Sequence, residues 1–120
     1  MKKVVLAIVG LNLMASAAVA DQTSGAPIKM TEYTCGEFLQ GLQLIQNLQK
    51  APSGSQRIVM NFIYALGYFD GQYQAATPAA ALTDAQIVKG HKMVAAVCSA
   101  SRTALFTGAT VISVNKLTGK

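Results

Sequence analysis

The chain has 120 residues, of which 52% are hydrophobic and 12% are charged, and its formal net charge is +5. This length accommodates one domain with a modest core. The basic residues are scattered without interleaved aromatic residues, so nucleic-acid binding is not expected. A single histidine and the absence of CxxC or HxxxH spacing argue against a metal site.

The first twenty residues have the organisation of a secretory signal peptide. Lys2 and Lys3 precede an apolar run, and a small-x-small pattern ends at Ala20. An uncleaved membrane anchor is the alternative, but the run is shorter than a bilayer requires. We therefore expect cleavage after Ala20 and a periplasmic mature protein of residues 21–120 without a membrane span.

Residues 21–30 show no apolar period, which predicts a flexible N-terminal tail. We assign residues 31–120 to one helical domain. Helix one is expected to begin after Thr34, because Thr34 and Glu37 have the spacing of a capping box. Apolar side chains then recur at helical intervals until the loop-forming sequence of residues 50–55.

Helix two is predicted from about Ser55 to Gln74. Its apolar side chains continue round most of the circumference, which is typical of a central core helix. One wide apolar side consists of Ile58, Val59, Phe62, Ile63, Leu66, Phe69 and Tyr73, and we call its first six residues the helix-two face. Gly67 and Gly71 favour either the close approach of another helix or a bend.

Helix three is expected to begin after Thr83, where Gln86 completes a second capping box, and to end near Cys98. The last segment, residues 103–117, is ambiguous because "TVISV" is β-branched and suits a strand. Since no partner strand is evident, we favour a short helix with an irregular end. The predicted fold is all-α, a small bundle of three to four helices with one disulfide.

The two cysteines, Cys35 and Cys98, lie near the predicted start of helix one and the end of helix three. In an exported chain such a pair predicts one disulfide, and free thiols or a shared metal are the alternatives. Closing a loop of about 60 residues is worth roughly 4 kcal/mol in the chain-entropy model. A disulfide would therefore supply a large share of the stability of so small a domain.

Catalytic chemistry has little support in the sequence. His91 has no acidic residue at helical spacing, so an ordinary surface histidine is the expected interpretation. Asp70 has no nearby second acid for a glycosidase-type pair and is interpreted as a structural partner for a helix end or a positive side chain. No phosphate loop, GxSxG or HExxH motif occurs. Neither an enzyme nor a cofactor or metal is expected.

Three segments together resemble the HdeA/HdeB family of periplasmic acid-stress chaperones. They are "TCGEFL" at residues 34–39, "IVMNFIYALGYFDG" at residues 58–71 and "VAAVC" ending at Cys98, all downstream of a signal peptide. The resemblance implies a small helical domain with the disulfide Cys35–Cys98 and a homodimer near neutral pH, without cofactor or ATP. In acid, such a protein would expose apolar surface, partly unfold and bind unfolding periplasmic client proteins.

The same resemblance implies that the helix-two face binds clients or a second subunit. Removal of Lys2 and Lys3 lowers the formal net charge from +5 to +3, and protonation of the five acidic side chains and of His91 raises it to +9. Self-repulsion at that charge opposes the compact state. An alternative resemblance, carried by "GYFDG" at residues 67–71, is to the Rap/Tai immunity proteins. It implies a folded binder of one secreted toxin.

Overall fold

The computed structural model describes residues 29–78 and 81–120, and the signal peptide and most of the tail predicted above lie outside the described residues. The α-helices are α1 (Cys35–Gln46), α2 (Gln56–Ala76), α3 (Asp84–Ala100) and α4 (Phe106–Thr118), with short 3₁₀ helices at Met30–Glu32 and Leu48–Lys50. The prediction of a small all-α bundle is confirmed for the described residues, which contain no strand. No helix in this part of the chain has the length and apolar character needed to cross a membrane.

Both predicted capping boxes are present. At the start of α1, Thr34 Oγ1 accepts the Glu37 N–H at 3.2 Å, and Glu37 Oε1 accepts the Thr34 N–H at 2.8 Å. At the start of α3, the same two bonds join Thr83 and Gln86 at 3.1 and 2.8 Å. Each box satisfies backbone donors that a helix start leaves free, which is why both starts lie where the sequence predicted them.

The ambiguous last segment forms the helix α4 and not a strand. Phe106, Ala109 and Ser113 follow one another at helical spacing and are buried, so packing of this side overrides the β-branched character of the sequence. The helix remains regular to Thr118 and ends at Gly119, whose φ of 78° lies in the left-handed region that glycine adopts easily.

The helices form two hairpins. α1 packs mainly against α2, which gives an N-terminal hairpin, and α3 packs mainly against α4, which gives a C-terminal hairpin. Within the N-terminal hairpin, Gly41 lies directly against Phe62, and a Cβ at Gly41 would meet the Cγ of that ring at 2.9 Å. Glycine therefore lets the two backbones approach closely at this point.

The core lies between the two hairpins and is rich in aromatic rings. The ring of Phe38 on α1 packs on Phe62 of α2 and on Phe106 of α4, at centroid distances of 5.0 and 4.7 Å. Phe38 therefore joins the N-terminal hairpin to the C-terminal hairpin. The largest fully buried apolar side chains are Tyr33, Cys35, Phe38, Phe69, Val94, Cys98 and Phe106. These residues come from all four helices and the segment before α1, so neither hairpin has a core of its own.

Candidate functional site

The disulfide Cys35–Cys98 is present and joins the start of α1 to the end of α3, so it links the two hairpins. The two Cα atoms are 4.8 Å apart, and both cysteines are fully buried. Among the described residues there is no free cysteine. The predicted pairing is therefore confirmed.

Backbone hydrogen bonds surround the disulfide. The Cys35 N–H donates to the Ala104 carbonyl at 2.9 Å, and the Gly36 N–H donates to the Arg102 carbonyl at 2.7 Å. In return, the Phe106 N–H donates to the Tyr33 carbonyl at 2.8 Å. The loop between α3 and α4 thus occupies the start of α1, where free amides otherwise attract anions. This helix start is a structural joint and offers no ligand site.

Tyr33 lies beside this joint with its hydroxyl buried. The side chain is fully buried and its ring packs edge-on against Phe106 at 5.7 Å. The hydroxyl has no hydrogen-bond partner among the described residues. Burial raises the pKa of Tyr33 far above its usual value, and the nearby negative charge of Glu37 raises it further. The group therefore stays neutral in the folded protein.

The structure divides the predicted helix-two face. Phe62 and Phe69 are core residues with 4% and 0% exposure, whereas Ile63 is 52% exposed. The other members, Ile58, Val59 and Leu66, are half-buried. The helical period of 3.6 residues turns Ile63 away from Phe62 and Phe69, so the six residues do not form a single surface.

The solvent-facing side of α2 is apolar and uncharged instead. We call it the outward stripe, and its members are Met60, Ile63, Tyr64, Gly67 and Gly71, all exposed. The three side chains are 58%, 52% and 60% exposed. A Cβ at either glycine would meet nothing within 4 Å, so no other part of the described chain covers this side. Such a run of exposed apolar positions is typical of an interaction surface.

A smaller surface of the same kind lies on α4. Val111 and Ile112 are 58% and 49% exposed, and the neighbouring Gly108 has open space above it. Each hairpin therefore presents an uncharged side to solvent as well as an apolar side to the core.

Asp70 and His91 form a pair that the sequence analysis missed. His91 Nε2 lies 2.8 Å from Asp70 Oδ1, and the two side chains are 31% and 33% exposed. The interpretation of His91 as an ordinary surface histidine is therefore wrong. Helical spacing within one segment could not reveal its partner, because Asp70 lies on α2 and His91 on α3, 21 residues apart. Asp70 thus has a side-chain partner, the imidazole of His91 on another helix.

The described residues contain no group of three histidine, cysteine or acidic side chains close enough to hold a metal ion. An open cleft of about 590 Å³ lies where the ends of α2 and α4 meet the start of α3. Its described lining consists of Tyr73, Ala75, Ala76, Thr77, Pro78, Gln86, Leu117, Thr118 and Lys120, without a carboxylate, histidine or thiol.

Comparison of the chain with models of known protein families, with curated proteins and with solved structures gave no match. Three features of the chain bear on its function: the outward stripe, the buried disulfide and the Asp70–His91 pair.

Proposed function

We propose that this protein is a periplasmic, ATP-independent acid-stress chaperone, a holdase that prevents the aggregation of envelope proteins. The observation that carries the proposal is the outward stripe on α2, since a holdase needs apolar surface that unfolding clients can reach. Met60, Ile63 and Tyr64 provide such surface even in the folded state. The resemblance to the HdeA/HdeB family, from "TCGEFL" onwards, points to the same function.

Charge and covalent structure support an acid-dependent activity. In acid the formal charge of residues 21–120 rises from +3 to +9, which opposes the compact state and exposes more apolar surface. The disulfide limits how far the chain can open. A buried disulfide also suits an oxidising compartment such as the periplasm. Near neutral pH the outward stripe binds a second copy of the chain, since two uncharged faces meet without charge repulsion.

The test measures light scattering by several unrelated client proteins at about pH 2.5 and about pH 7, with and without the protein. We expect suppression of aggregation in acid only. Ile63→Ser should weaken the suppression, whereas Val88→Ser should not. Both side chains are 52% exposed, but Val88 lies on α3, outside the stripe. Equal client aggregation with and without the protein at the lower pH would refute the proposal.

The Rap/Tai-type immunity function remains the second candidate. It is favoured by the position of "GYFDG", because Gly67 and Gly71 form a flat, open part of the outward stripe in the folded state. A protein of this class would bind one secreted toxin at neutral pH and would not protect unrelated clients. Affinity capture from the same cell envelope distinguishes the two functions: recovery of a single toxin favours immunity, and acid-dependent recovery of many proteins favours the chaperone.

A further inference from the structure

The surface between the two hairpins, which we call the seam, is held differently at its two ends. At one end the disulfide joins α1 to α3, and the loop before α4 pairs with the start of α1. At the other end α2 faces α3, and their contact is much smaller than the contact within either hairpin. Few contacts therefore hold α2 to α3.

Two features close this second end. Gly90 of α3 lies against the aromatic rings of α2, and a Cβ there would meet Phe69 at 2.9 Å and Tyr73 at 3.2 Å. One residue further along, His91 makes its 2.8 Å contact with Asp70. The His91 ring also lies edge-on to Phe69, with centroids 6.2 Å apart. The pair thus lies directly beside the buried rings of Phe69 and Tyr73.

The charges around the seam are few. They are Glu37 on α1, Arg57 and Asp70 on α2, Asp84, Lys89, His91 and Lys92 on α3, Arg102 in the loop before α4, and Lys116 on α4 with Lys120 just beyond it. Asp70 is therefore the one acidic side chain of α2. Without the negative charge of Asp70, His91 faces no acidic side chain on α2. Glu37 lies in the capping box at the disulfide end, so it does not take the place of Asp70 opposite His91.

We propose that the Asp70–His91 pair is an acid-sensitive latch, and that acid opens the seam from this end while the disulfide keeps the other end closed. Opening moves α3 away from α2 and uncovers Phe69 and Tyr73, which are 0% and 4% exposed in the closed form. These rings add to the apolar surface of the outward stripe. That the uncovered rings receive clients rests on the proposed chaperone function, whereas the opening itself does not.

Amide hydrogen exchange of the purified protein, followed by mass spectrometry at about pH 7, tests the latch. Asp70→Asn keeps the shape of the side chain and removes its charge. Because partly exposed polar pairs have modest energies, we expect peptides from residues 66–76 and 84–92 to exchange about two- to fivefold faster than in the unmodified protein. His91→Gln should accelerate exchange in the same two segments.

Glu32→Gln is the matched control. It changes the net charge by the same amount, but Glu32 is exposed and has no ion-pair partner within 4.0 Å among the described residues. The control should leave exchange in both segments unchanged. The latch is disproved if Asp70→Asn and Glu32→Gln give the same exchange.

The unmodified protein at about pH 2.5 tests the direction of opening. After correction for the intrinsic exchange rates, residues 66–76 and 84–92 should be less protected than residues 35–39 and 102–106. Equal loss of protection in all four segments would refute opening from one end. Client assays separate this outcome from the function. Local opening without suppression of client aggregation supports the latch and rejects the chaperone. Suppression of client aggregation without local opening supports the chaperone and rejects the latch.

Discussion

The two ends of the seam are held closed by different interactions. At the disulfide end, a covalent bond, three backbone hydrogen bonds and the fully buried Tyr33 exclude water from the joint. At the α2–α3 end, a glycine lies against two rings, and Asp70 pairs with His91, each about one-third exposed. The stronger interactions are therefore at the end that solvent does not reach. The end that solvent reaches is held partly by ionisable groups. Such an arrangement allows partial opening without loss of the whole fold.

The largest expected effect comes from removing the covalent joint. Replacement of Cys35 and Cys98 by serine should lower the free energy of unfolding by about 4 kcal/mol, because the disulfide closes a loop across 63 residues. Urea denaturation of the oxidised protein and of the double variant at neutral pH measures the difference. A loss below about 1 kcal/mol would mean that the two ends of the seam are closer in strength than the structure indicates.

A smaller effect is expected from a substitution that forces α2 and α3 apart without changing the net charge. Gly90→Ala should lower the free energy of unfolding by about 1–2 kcal/mol, because the new Cβ displaces the buried ring of Phe69, although alanine favours the helix. Gly67→Ala is the control, since its Cβ would meet open space. It should raise the stability by about 0.5–1 kcal/mol. The same denaturation measurement applies, and equal effects of the two substitutions would contradict the close contact at Gly90.

The smallest effect concerns Tyr33 and alkaline pH. Its pKa is higher in the folded than in the unfolded protein, so its stabilising contribution is complete below about pH 10 and falls as the pH rises further. Tyr33→Phe removes this dependence and also a buried hydroxyl that has no partner among the described residues. Between about pH 7 and pH 10.5, the free energy of unfolding of the variant should rise by just under 1 kcal/mol relative to that of the unmodified protein. A parallel loss of stability in both proteins over that range would argue against burial of the hydroxyl.

Local chemistry made much of this fold predictable from the sequence. Thr34 and Thr83 marked helix starts because each capping box is complete within four residues. The disulfide followed from the number of cysteines and the predicted export. The helical state of the last segment was also favoured, although its β-branched residues pointed to a strand, because no partner strand was available.

Tertiary contacts were less accessible. The pairing of Asp70 with His91 depends on how α2 and α3 pack, and no spacing within one helix encodes it. The two kinds of glycine also look alike in sequence. Gly41 and Gly90 lie in close contacts with aromatic rings, while Gly67 has open space above it. Because α2 is apolar nearly all round, the sequence alone did not show which side is buried and which side forms the outward stripe.

The late position of Cys98 imposes an order of events on each newly made chain. The N-terminal hairpin is complete in length once Ala76 has been made, but Cys35 then has no sulfur to pair with and Phe69 has no glycine to cover it. Both partners arrive only with α3. A chain that extends only to Ala76 therefore leaves the rings of α2 without their cover, and the fold can close only when α3 has followed.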